Sequence, residues 1–472
     1  MIASYELAVI GAGPAGMEAA LAAAAAGVET AVIDGHPAPG GQVYMPLPAG
    51  FEASRPAGEE TEGERLSRRL DAAPLARLWN AAVWGIFPDE SGSGWSIALA
   101  GAEVPRRIHA RLLILATGAY DTPVAFPGWT LPGVLTCGAA LTLLKNQRIA
   151  PFRRVLVSGT GPLVLSAAAH LSAAGVAVAG VCEANRFSRR ALRHAPTLLR
   201  ESRRLGEGAG YLSRLLLAGT PYRTGWSVVE ASGEGRVEKA VIARLDAAGA
   251  PLPGSERNVE VDGVIAGYGL TPNRGLAQMV GCRLEYLPQK GGWAPWRGEN
   301  LQTSLPGVYC AGDCAGIAGA ENSRLEGQIA GTAAARELGK ITAQQAEDFS
   351  RRVRPAWAQQ QRFARALAEL YPLPPGLVSL LQEDTPLCRC EEVTLGAVKQ
   401  AVAAGAQTLG EVKMLTRAGM GNCQGRMCER PVTAVLLREL GAGAAPETTG
   451  SYSVRPPLHP VPIGSLLEDE DS

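Results

Sequence analysis

The sequence predicts an α/β protein with two βαβ units of dinucleotide-binding type and a small helical module at its C-terminal end. Three observations carry this. A strand, glycine-rich turn, helix, strand and acid follow one another twice, in residues 6–34 and 153–185. Apolar strands ending in small-residue turns recur at 112–120, 261–273 and 303–316. Four of the nine cysteines crowd into residues 388–428. A chain of 472 residues, 46% hydrophobic and 19% charged with 57 glycines, has room for two or three domains, each with its own core.

Lys plus Arg and Asp plus Glu both total 45, so the formal net charge is zero and nothing argues for nucleic acid or an anionic membrane as partner. The run LAVIGAGPAGMEAALAAAAAGVETAVI is the most apolar near the N-terminus. Gly and Pro interrupt it, Glu18 and Glu29 sit within it, and no Lys or Arg precedes it, so it reads as strand, turn and helix rather than a signal or transmembrane segment. An odd cysteine count without disulfide-framework spacing fits a reducing cytoplasm.

In the first unit, ELAVI leads into GAGPAG. Gly11 permits the tight turn, Gly13 lets backbone N–H groups approach a pyrophosphate, and Gly16 lets helix and strand pack closely. Asp34, eighteen residues after Gly16, is placed to accept hydrogen bonds from a ribose. The motif alone does not choose between FAD and NAD. Residues 46–75 lack apolar periodicity and are expected to form a surface loop or lid. His36 reads either as a cofactor-edge group or as a surface histidine.

Further segments bear on that choice: GGQ with Gly41 and Gln42, LLILATGAY with Thr117 and Gly118, and TSLPGVYCAGDCAG with Gly312 and Asp313. In this order they resemble the FAD-binding half of the two-dinucleotide-binding-domain flavoproteins, the glutathione and thioredoxin reductase group. The resemblance implies that Asp313 hydrogen-bonds the flavin ribityl chain.

The second unit repeats the plan with Gly159, Gly161 and Glu183, but Val164 replaces the third glycine, which would push helix and strand apart or narrow the crevice. Either NAD or another adenine nucleotide binds here, or the domain is vestigial. Glu183 favours NAD, whereas Arg186, Arg189 and Arg190 could hold a phosphate. VDGVIAGYGLTPN looks like the return to the first domain. The expected organisation is FAD domain at 1–150 and 275–345, nucleotide-type domain at 151–274, helical linker at 346–380, cysteine module at 381–445 and tail at 446–472. Prolines at 372, 374 and 375 end the linker helix, and the Pro-rich, acidic tail is expected to wrap a neighbour or stay disordered.

Cys388, Cys390, Cys423 and Cys428 form C-x-C, thirty-two intervening residues, then C-x4-C. Four thiolates can hold zinc or an iron–sulfur cluster, and the absence of C-x2-C knuckles favours two irons with two sulfurs each. Gly419, Gly421 and Gly425 would let the backbone approach cluster sulfides. Thr394 and Thr408 are candidate N-caps of two short helices broken at Gly405. The module is similar to the bacterioferritin-associated-ferredoxin-like [2Fe-2S] type. Cys137, Cys182, Cys282, Cys310 and Cys314 read as buried small hydrophobes.

With ATGAYDTPVAFPGWTLPGVLTCGAALTLLK and TRAGMGNCQGRMC, the chain resembles the large subunit of bacterial heteromeric amino- and imino-acid dehydrogenases, the group that holds the large subunit of opine oxidase, D-hydroxyproline dehydrogenase and the hydrogen cyanide synthase flavoprotein. The resemblance implies FAD, a [2Fe-2S] cluster, an FMN at a subunit interface in related complexes, and a hetero-oligomer. In it a glycine- or sarcosine-oxidase-like subunit with its own FAD oxidises the C–N bond, and a small third subunit often joins. No Ser/His/Asp grouping is visible among the five histidines, so no catalytic acid or base is assigned to this chain. A self-sufficient NAD(P)H-dependent reductase of a protein acceptor, and a redox-sensing scaffold, are the competing expectations.

Overall fold

The computed structural model describes residues 2–48, 50–51, 60–89, 92, 94–186 and 190–466. Arg189, the side chain of Arg190, the middle of the expected lid and the acidic end of the tail lie outside them. The chain forms two compact units, one of residues 1–119, 271–364 and 454–472, the other of 120–270 and 365–453.

The first unit is built on a seven-stranded sheet. Strands Ala3–Ile10, Thr30–Ile33, Ala76–Leu78, Arg107–Leu115 and Val308–Cys310 run parallel, and Ala82–Pro88 and Trp95–Ala100 extend the sheet antiparallel beside Arg107–Leu115. Their cores, LAVI, TAVI and LLIL, are continuous buried runs, as strands covered on both faces require. The register sets Ile10 beside both Ile33 and Leu115, and Leu115 beside Cys310, so four parallel strands end in one row.

Helix Pro14–Ala25 starts on a proline and is mostly Ala and Gly. It lies against helix Ala320–Glu337 so closely that a Cβ on Gly327 would stand 2.1 Å from the Ala15 carbonyl oxygen. Residues 62–72 correct the expected loop: Glu62–Ala72 is a helix capped by a reciprocal Thr61–Glu64 box, with Leu66 and Leu70 buried. Two apolar side chains one turn apart suffice to dock it, too few for a visible period. In the described part of the tail Leu458 is buried on its own chain, its N–H donating to the Trp84 carbonyl at 2.8 Å.

In the second unit five parallel strands stand in the order Tyr222–Thr224, Ala177–Glu183, Arg154–Gly159, Gly263–Gly267 and Val134–Thr136. Pairing of Val134–Thr136 with Gly263–Gly267 is why residues 120–150 belong here rather than with the first unit. An antiparallel meander, Trp226–Ser232, Lys239–Arg244 and Arg257–Glu260, follows.

The cysteine module has a short strand pair, Pro386–Cys388 with Val393–Thr394, and helices Leu395–Ala403, Leu409–Thr416 and Glu429–Leu440. Thr394 and Thr408 cap the first two helices, and Gly405 stands between them at φ +106°. Val398, Leu409, Val432 and Leu436 share one buried cluster with Val228, Ala240 and Ile242 of the meander. The Trp129 indole also donates to the Pro386 carbonyl at 2.6 Å. Among the described residues no helix is long and apolar enough to cross a membrane.

Candidate functional site

The row of strand ends in the first unit carries the candidate cofactor residues. Turns after Ile10, Ile33, Leu115 and Cys310 hold Gly11–Gly13, Asp34, Thr117–Gly118 and Gly312–Asp313, the carboxyl-end crevice where open α/β sheets bind ligands. A Cβ on Gly16 would fall 1.7 Å from the Gly11 carbonyl oxygen, so the helix N-terminus can sit over the turn only with glycine there. Gly41 has φ +57°, and a Cβ on it would stand 2.8 Å from the Gly13 Cα. Together Gly13 and Gly41 form a cradle without side chains, fit for a pyrophosphate at a helix N-terminus. Gln42 lies exposed in the short turn that follows.

Asp34 Oδ2 accepts from the Ala12 N–H at 2.6 Å, and Oδ1 accepts from the His36 N–H at 2.9 Å and bonds the His36 ring at 2.8 Å. Burial pushes the carboxyl up, but the His36 side chain and the backbone donors outweigh it and hold Asp34 below the usual range. The same bond raises His36 above its ordinary value. Thr117 Oγ1 donates to the Asn273 carbonyl at 2.6 Å, while the Asn273 N–H donates to the Gly118 carbonyl at 2.9 Å. Asp313 Oδ1 accepts from the N–H groups of Ala318 and Gly319 at 2.9 and 3.1 Å, and burial holds its carboxyl up.

Sequence reasoning missed the group that holds Gly312. Glu326, fully buried, accepts from the Gly312 N–H at 2.8 Å, from both terminal nitrogens of Arg297 at 2.5 and 2.7 Å, and from Asn322, Trp357 and Gln361. Burial alone would raise its carboxyl, but Arg297 keeps it below the ordinary value. Glu18, buried in the Ala-rich helix, similarly accepts from Arg324 at 2.8 Å. For Glu18 a lone acid in a small-residue helix was the visible signal, whereas Glu326 shares its helix with Glu321 and Glu337 and gave none.

The second glycine turn differs. Glu183 accepts from the N–H groups of Gly161 and Asn185, each at 2.9 Å, and burial raises its carboxyl. Val164 does not force helix and strand apart, because Gly267 faces it: a Cβ there would lie 3.3 Å from Val164 Cγ2 and 2.4 Å from the Cys137 sulfur. Tyr371 stands over Gly161, whose added Cβ would sit 3.7 Å from the tyrosine Cβ. The Asn185 amide donates to the Pro372 carbonyl at 3.1 Å and to Thr160 Oγ1 at 2.5 Å. Tyr371 and Pro372 thus pack beside this turn.

The four C-terminal cysteines come together in two pairs. Buried Cys388 and Cys428 hydrogen-bond each other, as do exposed Cys390 and half-buried Cys423. The bond from Cys428, with backbone donors from Gly419, Glu391 and Cys390, pulls the Cys388 thiol down to about 5. Among the described residues no three His, Cys, Asp or Glu side chains are arranged around a point fit for a single metal ion. Two sulfur pairs with N–H donors fit a two-iron cluster better than one zinc. A Cβ on Gly421 would lie 2.3 Å from the Cys390 Cβ, and Gly419, whose backbone donates to Cys388, and Gly425 both lie against the Tyr452 ring. The other five cysteines are buried free thiols.

Residues 5–339 match the pyridine nucleotide-disulphide oxidoreductase family, and residues 386–438 match the BFD-like [2Fe-2S] binding domain. The chain is 33% identical to the A subunit of opine oxidase from Agrobacterium tumefaciens, covering 98% of this chain and 91% of that one. It is 34% identical to hydrogen cyanide synthase subunit HcnB of Pseudomonas aeruginosa, covering 97% of each. Among solved structures, L-proline dehydrogenase from P. horikoshii shares the fold with a TM-score of 0.70 at 21% identity, over 99% of this chain and 81% of that one.

Proposed function

The chain belongs to the pyridine nucleotide-disulphide oxidoreductase family, in the group of HcnB and the opine oxidase large subunits, and on that footing we propose that it is the electron-transferring flavin and iron–sulfur subunit of a heteromeric amino-acid, imino-acid or opine dehydrogenase. It is an oxidoreductase with an FAD-type domain and a [2Fe-2S]-type domain in one chain. A flavin bound here supplies conversion between two-electron and one-electron transfer, and the cluster a one-electron step.

The chain's own groups divide the work. Gly11, Gly13, Gly16 and Gly41 shape the pyrophosphate cradle, Asp34 faces the ribose, Thr117, Gly118 and Asp313 line the flavin side, and Cys388, Cys390, Cys423 and Cys428 ligate iron. The partner in this reading is a glycine- or sarcosine-oxidase-like subunit with its own FAD, joined by a small third subunit, with FMN where the two larger subunits meet. The opine oxidase relative is by its name one component of a multi-subunit oxidase of opines, which supports a shared role in such an assembly. Nine cysteines, none of them in a disulfide, suit a cytoplasmic location.

The observation that carries this reading is the cover over Gly161. With Tyr371 and Pro372 packed beside it, the second turn is less open to a soluble hydride donor, which favours electrons arriving through a partner. The test is anaerobic mixing of the purified chain with excess NADH or NADPH while flavin absorbance is followed, then repetition with the co-purified partner and an amino-acid or opine substrate. The flavin is expected to stay oxidised in the first case and bleach in the second. Bleaching by a pyridine nucleotide alone would make the chain a self-sufficient reductase and sink the proposal.

A further inference from the structure

Two of the three glycines of GMGNCQGRMC, Gly419 and Gly425, answer to a side chain further along the chain. After helix Glu429–Leu440 the backbone makes a short turn at Pro446–Thr449, reverses at Gly450 with φ +73°, and inserts Tyr452 into the cysteine module. Tyr452 is 2% exposed and belongs to the same buried cluster as Cys388 and Cys428. Its ring fills the space over the cysteine loop: a Cβ on Gly419 would lie 2.9 Å from ring atom Cε2, and one on Gly425 2.6 Å from Cδ2. Lys413 Nζ stands 5.7 Å from the ring centroid on one side. The hydroxyl is buried, and the Cys428 side chain is among the groups it interacts with.

We propose that Tyr452 sets the reduction potential of the cluster by donating its O–H to the Cys428 sulfur when that sulfur ligates iron. The inference rests on the [2Fe-2S] reading of the four cysteines. A phenol can donate and accept, but a thiolate bound to iron can only accept, so ligation fixes the direction of the bond. Reduction adds negative charge that spreads onto the ligand sulfurs, so a donor aimed at one of them favours the reduced state. A sulfur that is fully buried feels such a donor more than an exposed one, because no water competes or screens. Cys390, by contrast, is exposed. Tyr452 is thus a positioning and tuning residue, reaching the cluster through its ligand.

The experiment compares the full-length chain with Tyr452→Phe, which keeps the ring against Gly419 and Gly425 and removes only the hydroxyl. Iron and sulfide content, the thermal midpoint, and a dye-mediated redox titration followed by EPR are measured on both. The expected result is unchanged cluster content with the reduction equilibrium weakened about tenfold, a downward shift of ~59 mV for a one-electron couple. Pulsed EPR in H2O and D2O should lose one exchangeable proton coupling in the variant. An unchanged potential would overturn the proposal. Loss of the cluster from the Phe variant would overturn it too, since the hydroxyl would then be needed for assembly rather than tuning. A parent chain without any [2Fe-2S] signal would instead refute the reading on which the inference stands.

Discussion

Replacing Glu326 by Gln keeps shape and volume at the centre of the Gly312 network but removes the charge that balances Arg297. Both side chains are buried, Arg297 at 9% exposure and Glu326 at 0%, and the guanidinium binds both carboxylate oxygens. Stripping one member from a buried pair leaves an uncompensated charge, at a cost of ~3–5 kcal/mol. In a domain of roughly 150–250 residues each kcal/mol moves the melting temperature by about 2–4 °C, so the unit should lose roughly 6–20 °C. Calorimetry on the flavin-loaded chain reads this directly, and flavin content after gel filtration should fall because the Gly312 N–H loses a charged acceptor. The loss must depend on pH in a defined sense. Glu326 is held below its ordinary value of 4.5, so its contribution is present above that value and fades as pH falls through the depressed one. Parent and variant should therefore converge in acid. A Glu326→Gln chain melting within 2 °C of the parent near neutral pH, with full flavin, would refute the claim that this pair holds the turn.

Replacing Cys423 with Ser should abolish the cluster's EPR signal while leaving flavin content largely intact, because the two sites lie in different units; equal loss of both would contradict that separation. Gly327→Val should destabilise by ~3 kcal/mol or more in chemical denaturation, since the first added carbon already lies 2.1 Å from the Ala15 carbonyl oxygen and overpacking is not relieved by a backbone. His36→Ala should cost under ~1 kcal/mol, the ring being half exposed. That cost should be largest at about pH 5.5, where His36 is charged and Asp34 ionised, and vanish as pH rises to about 9 through the raised His36 value; melts showing equal loss at both pH values would exclude the ion pair.

How much of this was legible follows from where the contacts come from. The glycine turns, Asp34 and the two capped helices of the cysteine module are local patterns, each closed within a few turns of chain, and the sequence shows them directly. The Thr61–Glu64 box was equally local, but its helix carries only Leu66 and Leu70 on the buried side, so charge obscured it. Val164 misled because its partner, Gly267, lies about a hundred residues away on another strand. Glu326 with Arg297, Tyr371 over Gly161, and Tyr452 in the cysteine loop are tertiary matches with no periodicity to betray them.

The indole of Trp129 on the Pro386 carbonyl, with Val228, Ala240 and Ile242 lying among the helices of the cysteine module, bears on how such a chain can be cut and recombined. A boundary drawn in sequence at residue 386 suggests a cassette that could be grafted elsewhere or deleted at will. Folding draws it differently. Excising the cassette would leave the meander with a naked oily face, and the cassette alone would carry the matching one. Any functional exchange between relatives must therefore transfer residues 120–270 and 365–453 together, although they are far from contiguous in the gene.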